Sequence, residues 1–434
     1  MVENEIEEKE KKDKIYCYKI AGKILCNHFI ITPEDVDDIY IYEEGIYRKA
    51  GRTIEKILQR ELGYKITEHY VREIINHIKR MTYKTREEIA EVPVNLICVK
   101  NGILNIETRE LLPHNPKFIF FNKLNVEYNT KAECKKFNEF LNEVLSTDDK
   151  ISLLKRFTGI CLRRDTAYQK ALILYGKGGQ GKSVFLKTIN IGLLGKENCT
   201  NLALQDLDED RFAIINLYGK IANICPDIPE RGLSGTSKFK AIVTGDMISG
   251  RDLHKPYIQF IPYAKLMFSA NKIPRTYDLS DAFFDRWIFV KFDGKNFRET
   301  GEEIVNYEDT FIKDATEMSG ILNWALEGLF EAGLWGFADV NDTKSNWLRY
   351  SDSVSAFMMD YLEEGSESDW ILREEIYNKY CTFCRLDNII PSADNAFHKQ
   401  LQHLMEIEKY QTSKGNTGKK QEYAWKYIKW RQNN

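Results

Sequence analysis

Residues 171–183 read ALILYGKGGQGKS, from Ala171 to Ser183. The opening apolar run, ALILY, suits a strand buried on both faces, and such strands belong to parallel α/β sheets. It ends at Gly176, and Gly176–Ser183 fits G-x-x-x-x-G-K-[ST] in full. The spacing carries a mechanism. Glycines let backbone N–H groups curl around phosphate oxygens, and the N-terminus of the following helical stretch, SVFLKTINIGLLG, adds positive potential. In this reading Gly176, Gly178, Gly179, Gln180, Gly181 and Val184 form the cradle. Lys182 neutralises the β- and γ-phosphates, and the Ser183 hydroxyl ligates Mg²⁺. The competing reading is a plain glycine turn, which the buried strand before it and the helix after it disfavour. ATP and Mg²⁺ are the expected ligands.

Working outward, KIANIC (220–225), AKLMFSA (264–270) and WIFVKF (287–292) repeat the buried-strand pattern, with helix-length segments between them. That alternation predicts a parallel or mixed α/β sheet. Each run delivers a polar residue at one of its ends. Asp227 follows the first and is the better candidate to hold the Mg²⁺ shell, whereas Glu230 either orients an attacking water or is an exposed loop carboxylate. Asn271 ends the second run, and an amide there can hold a water, sense a phosphate or simply start a turn. Arg286 precedes the third. It is a surface ion-pair residue or a finger reaching a neighbouring subunit's nucleotide.

The chain has 434 residues, enough for two to four domains. With 43% apolar and 29% charged residues it is neither a disordered chain nor a small disulfide scaffold. A net charge of −3 excludes a uniformly basic nucleic-acid coat, though residues 391–434 are locally basic, with eight Lys/Arg against four Asp/Glu. Nine irregularly spaced cysteines read as reduced thiols. The N-terminal MVENEIEEKEKKDK lacks the apolar core of a secretory signal, and no run is long enough to span a membrane. A cytoplasmic protein with a frayed first dozen residues is expected.

Residues 15–48 alternate as half-buried strands, and 51–92 turn helical. Asn101-Gly102 is the strongest hairpin signal. Phe137, Phe140, Leu141, Val144 and Leu145 mark one amphipathic helix, and 151–161 a second. GILNWALEGLFEAG (320–333) is a further helix. EEGSESD (363–369) reads as a linker, followed by helices at 371–384 and AFHKQLQHLM and a β-like tail from 407 to 430.

The ordered motifs GKGGQGKS, ANICPDI, KFKAIVTGDMISGRDLHKPYIQFIPYAKLMFSANKIP and FFDRWIFVKF resemble superfamily 3 helicases. Specifically, they look like the D5-type branch of phage and plasmid primase–helicases of the P4 kind, from about residue 95 to the C-terminus. The resemblance implies an AAA+-like P-loop ATPase core (163–345). It also implies an N-terminal α+β region (1–130, D5 N-terminal-like from about 95), a helical collar for oligomerisation (131–162) and a C-terminal helical linker and winged-helix domain (346–434). It implies a hexameric ring moving 3′ to 5′ on single-stranded DNA, acting on forks during replication of a mobile element, with a primase or polymerase as a further partner. By resemblance, Lys182 and Ser183 are Walker A, Asp227 Walker B and Asn271 sensor 1. Arg286 is the arginine finger, with Arg275 a weaker candidate. The family's channel hairpin maps to GDMISGRDLHKPYIQF, with Tyr257–Phe260 returning and Arg251, His254 and Lys255 near the tip on DNA phosphates. A motor that moves on any sequence should grip backbone.

The sequence departs from the family in ending Walker B with a single Asp after Pro226, which leaves the catalytic base unassigned. Residues 1–130 show no acidic metal pattern of a primase, so the reading is helicase, either alone or as part of a larger enzyme. Two rivals share some motifs: an NTP-dependent origin-binding initiator, and a small-molecule kinase, which has little use for the hairpin or winged helix. Cys381-x-x-Cys384 lacks a second pair for zinc. His398 and His403, five apart, do not share a helix face, and His69 and His77 read as surface residues. Tyr423, Trp425, Tyr427 and Trp430 among basic residues are either a stacking surface for DNA or a core-facing strand.

Overall fold

The four apolar runs are strands, joined by a fifth of only two residues: β1 (Ala171–Tyr175), β2 (Cys199–Thr200), β3 (Ala222–Cys225), β4 (Lys265–Ala270) and β5 (Trp287–Lys291). A computed structural model describes residues 16–63, 67–89, 92–210, 212–251, 253, 257–337, 343–386, 390–411 and 422–431. The strands form one sheet in the order β5-β1-β4-β3-β2, each neighbour parallel to the next. A strand's side chains alternate between faces. Leu172 and Leu174 enter a cluster with Phe137, Phe157 and Leu326, while Ala171 and Ile173 enter another with Phe239, Phe283 and Trp347. Both faces are covered, which is why the sequence shows continuous apolar runs rather than alternation.

The two helices expected around 137 and 151 are Lys135–Val144 and Asp148–Ile160, and the one around 320 runs from Ala315 to Trp335. Asp314 starts the last by accepting from the N–H groups of Thr316 (3.1 Å) and Glu317 (3.2 Å). Helices 148–160 and 315–335 cross with their backbones nearly touching. A Cβ on Gly328 would lie 2.0 Å from the Lys155 carbonyl oxygen, and one on Gly159 2.2 Å from the Leu329 nitrogen. Lys155 flanks the crossing with ion pairs to Glu327 (2.9 Å) and Glu331 (2.8 Å). Ile97, Leu104, Leu124 and Val126 join the same apolar cluster, so the core is continuous across residue 130.

Toward the N-terminus, strands Ile46–Lys49, Tyr40–Glu43, Ile30–Pro33 and Tyr83–Lys84 make a sheet in that order, backed by helices Thr53–Leu62 and Glu68–Thr82. The strand expectation for 15–48 fails at its start, because residues 16–27 are helical. Cys17, Ala21 and Ile24 are buried there at helical spacing, a stripe hidden among charged neighbours. One two-residue hairpin turn is Glu44-Gly45, both at positive φ (50° and 94°). At the expected Asn101-Gly102 turn, Val99 pairs with Gly102, so the turn is Lys100-Asn101. Gly102 opens the returning strand because a Cβ there would meet the Leu112 carbonyl oxygen at 2.4 Å.

The C-terminal unit has its own core around Phe357, Tyr380, Phe397 and Trp425. Helix Ser353–Tyr361 is followed by strand Trp370–Leu372, helices Arg373–Leu386 and Asp394–Leu404, and strands Glu408–Gln411 and Tyr423–Lys426, with Tyr423–Lys426 central in the sheet. The expected linker at 363–369 is instead part of this unit. Leu362–Glu364 pairs with Ile428–Trp430, and Ser366 and Asp369 close a turn through two side-chain hydrogen bonds of 2.7 Å. Its polarity reflects turn chemistry. The charged run at residues 1–12 lies outside the described residues. Among the described residues no helix is long and apolar enough to cross a membrane.

Candidate functional site

Parallel strands deliver their C-terminal ends to one edge of the sheet, and ligand crevices form there. A cavity of about 790 Å³ lies at that edge, lined by Gly178–Val184 after β1, Pro226 and Asp227 after β3, and Asn271 after β4. The loop conformation explains its glycines. Gly179 (φ +87°) and Gly181 (φ +82°) are left-handed, and a Cβ on Gly181 would press within 2.9 Å of Phe140 and Val144. The Gln180 carboxamide oxygen accepts from the Lys177 N–H at 2.6 Å and ties the loop to itself.

Lys182 opens the helix Lys182–Lys187 and folds its side chain back into the loop. The ammonium donates to the carbonyls of Gly176 (2.6 Å) and Lys177 (2.9 Å) and to the Asn271 carboxamide oxygen (3.0 Å). Burial pushes its pKa down to about 8, partly opposed by the charge of Asp227. Ser183 and Val184 line the same wall. The turn carrying Asp227 is pinned to β4: the Ser269 hydroxyl donates to the Pro226 carbonyl, and the Ile228 N–H to the Ser269 carbonyl (3.0 Å). Among the described residues no cluster of three or more His, Cys, Asp or Glu is placed to hold a metal. Ser183 and Asp227, which both line the cavity, are nevertheless a fitting pair for Mg²⁺, which takes one or two protein oxygens and completes its shell with phosphate and water.

The cavity thus gathers Gly178, Gly179, Gln180, Gly181, Lys182, Ser183, Val184, Asp227 and Asn271. Gly176 adjoins it through its carbonyl. Glu230 is not a lining residue; its carboxylate pairs with Lys272 at 3.2 Å on the surface. Arg275 is exposed, and its carbonyl accepts from the Leu233 N–H at 2.8 Å. Arg286 lies at the opposite edge. Its carbonyl accepts from the Ala171 N–H at 2.7 Å and its guanidinium donates to the Ala282 carbonyl. A whole strand, about 17 Å at ~3.3 Å per residue, separates it from the loop of its own chain.

A hairpin is present where the resemblance placed it, with Ile248–Gly250 antiparallel to Ile258–Phe260. Ile248 and Phe260 anchor it in the core, while Met247, Leu253 and Tyr257 are exposed. The Arg251 guanidinium stacks over Tyr257 (4.8 Å) and Phe212 (5.7 Å). His254 and Lys255 lie outside the described residues. In the C-terminal tail, Trp425 is buried and donates to His398 Nδ1 at 2.9 Å, so this aromatic faces the core, whereas Tyr423 is exposed. Cys384 is buried and Cys381 half-buried.

The sequence reading missed the far wall, supplied by the segment 293–308 after β5 together with Phe140 and Glu143. Lys295, Phe297, Arg298, Glu302, Glu303 and Tyr307 all line the cavity. The Phe297 N–H donates to the Gly179 carbonyl (3.0 Å) and the Asn296 amide to the Gly178 carbonyl (3.2 Å), clamping the segment to the loop. The available signal was positional: a long polar stretch leaving a strand that neighbours β1.

Residues 10–146 match the family described as D5 N terminal like, and residues 349–434 the family described as Poxvirus D5 protein-like. The chain belongs to the D5-type primase–helicase family. The N-terminal match reaches back to residue 10, well ahead of residue 95. Residues 174–286, which hold the glycine loop, Asp227 and Asn271, match a family of unknown function, DUF5906. No curated protein matches the chain in sequence. Among solved structures, the apo C-terminal region of NrS-1 superposes with a TM-score of 0.50 at 11% identity, covering 96% of this chain and 100% of that one. An A-form apo structure of the same region gives 0.48 at 11%, covering 94% and 98%. At this identity the likeness concerns the fold alone. Members of the D5-type family are replication enzymes.

Proposed function

We propose that this chain is an ATP-driven DNA helicase of superfamily 3, working as a hexameric ring that moves 3′ to 5′ on single-stranded DNA at forks of a replicating viral, phage or plasmid genome. One observation carries the reading: Lys182, Ser183, Asp227 and Asn271, from three different parallel strands, meet around one cavity behind a glycine loop. The strand order β5-β1-β4-β3-β2 supports an AAA+-like P-loop core. In the C-terminal unit, helix 353–361, strand 370–372, helices 373–386 and 394–404 and strands 408–411 and 423–426, with the short pair 362–364 and 428–430 beside them, support a winged helix, and helices 135–144 and 148–160 support a collar.

Bound MgATP would supply the phosphoanhydride whose cleavage drives the motor. The chain's own residues bind and orient it. Lys182, held against carbonyls in the loop, exchanges them for β- and γ-phosphate oxygens. Ser183 and Asp227 hold the metal. Asn271, within reach of the Lys182 ammonium, orients the attacking water. Arg286 sits too far from its own cavity to act there, which supports service to the next subunit's site; the hairpin would face the channel and its DNA.

Fork unwinding tests the reading. A duplex with a 3′ single-stranded tail should be separated in the presence of ATP and a 5′-tailed one should not. Lys182→Ala should separate neither. Binding of origin duplex with no strand separation on either substrate would replace the motor by an initiator.

A further inference from the structure

A cavity for a polyanion is expected to be basic, yet this one is not. Among its lining residues Lys182, Lys295 and Arg298 face four carboxylates, Glu143, Asp227, Glu302 and Glu303. Two of the three cations are already engaged, both by carboxylates of their own segment. Lys295 pairs with Glu302 at 2.5 Å. Arg298 makes a forked pair with Glu303, Nη2 to Oε1 at 3.1 Å and Nε to Oε2 at 3.3 Å. That bond holds the Glu303 carboxyl below its ordinary range, so it is fully charged at neutral pH.

The guanidinium is stationed over the glycine loop, although the Arg298 side chain is largely exposed. The Asn296 side-chain amide bonds the Gly178 carbonyl, the Phe297 N–H bonds the Gly179 carbonyl, and Arg298 Nη1 lies 3.1 Å from where a Gly178 Cβ would be. Among the described residues the Glu303 carboxylate bonds Arg298 alone. Glu303 follows Gly301, which is left-handed (φ +73°) with open space around it, and its side chain is half exposed.

We infer that Arg298 is a phosphate-binding residue of its own subunit's site, held in reserve by Glu303, which yields the guanidinium when a nucleoside triphosphate enters. The inference rests on the nucleotide-site reading above. A guanidinium forks onto carboxylate and phosphate with the same geometry, so the exchange preserves both of its hydrogen bonds and releases the half-exposed Glu303 carboxylate to water. Glu303 is then a competitor with the ligand. The pair sets the triphosphate affinity and couples the position of segment 293–308 to site occupancy.

The two partners must therefore act with opposite signs. The full chain and the variants Arg298→Ala, Glu303→Gln, Arg298→Ala/Glu303→Gln and Lys182→Ala are titrated with MgATP and with inorganic tripolyphosphate by calorimetry at low salt. Arg298→Ala weakens binding of both probes by roughly ten- to a hundredfold, as loss of a charge-assisted contact does. Glu303→Gln tightens it by about two- to fivefold, the worth of an exposed ion pair, and the gain shrinks at high salt. The double variant matches Arg298→Ala. If Glu303→Gln instead weakens binding, or changes nothing, the pair merely braces the segment and the inference falls, while the site reading stands on Lys182→Ala losing affinity. Unimpaired binding by Lys182→Ala would overturn both.

Discussion

Gly328 offers the most stringent test of the packing that sets the site against its helical support. Replacing it by alanine should stabilise the helix Ala315–Trp335 by about 1 kcal/mol on propensity alone. The structure says otherwise. The new Cβ would sit 2.0 Å from the Lys155 carbonyl oxygen, so reaching ordinary contact at 3.4 Å needs the helices to part by roughly 1.4 Å. The obstacle is backbone, so no rotamer relieves it, and the opening is shared by the Phe157, Leu326 and Leu329 contacts beside it. Overpacking at the upper end, about 3 kcal/mol, less the propensity gain leaves a net loss of about 2 kcal/mol. For a unit of this size that lowers the melting temperature by roughly 4–8 °C. Gly333, on the same helix, meets only the Tyr168 hydroxyl at 3.9 Å, so Gly333→Ala should be neutral or raise the transition. Both are read by calorimetry. A Gly328→Ala protein as stable as Gly333→Ala would refute the close crossing.

Arg286→Ala should abolish ATP turnover yet leave nucleotide affinity nearly intact, because a finger acts on transition-state charge; normal turnover, measured by phosphate release, would remove Arg286 from the site. The Lys182 pKa of about 8 makes triphosphate binding depend on pH, since the ligand selects the ammonium. Affinity should be flat below about pH 7 and fall by up to about tenfold per pH unit above 8, while Lys182→Arg, charged throughout, should stay flat. His398 is buried with its pKa pushed down to about 4 by desolvation, with Arg373 adding to the shift and Asp394 opposing it. The unfolded chain therefore binds the extra proton between about pH 6.5 and 4, and the C-terminal unit should lose stability as pH falls through that window, by about 3 kcal/mol at most. His398→Gln should flatten that acid limb in urea titrations.

The glycine loop was legible because its chemistry is local: one strand, one turn and one helix start. The four longer strands were legible because burial on both faces makes nearly every position apolar, the buried exceptions Asn223, Lys265 and Ser269 being hydrogen-bonded. Neither signal reaches β2, whose two residues are too short for a pattern, nor the helix at 16–27, whose narrow stripe of Cys17, Ala21 and Ile24 sits among charges. Asp227 and Asn271 were located by the rule that parallel strands end at a ligand, whereas Glu230 followed the same strand by three residues and turned outward to Lys272. Arg298 and Glu303 had no periodicity to betray them. Only the adjacency of β5 to β1 brings their segment over the loop, and adjacency is a property of the sheet.

The most direct measurement is the rate of ATP hydrolysis with and without single-stranded DNA, on the wild type and Lys182→Ala, with the assembly mass determined in the same buffer. Strong stimulation by DNA in a ring-sized assembly, lost in the variant, is the expected result. Hydrolysis indifferent to DNA, or carried out by a monomer, would contradict it.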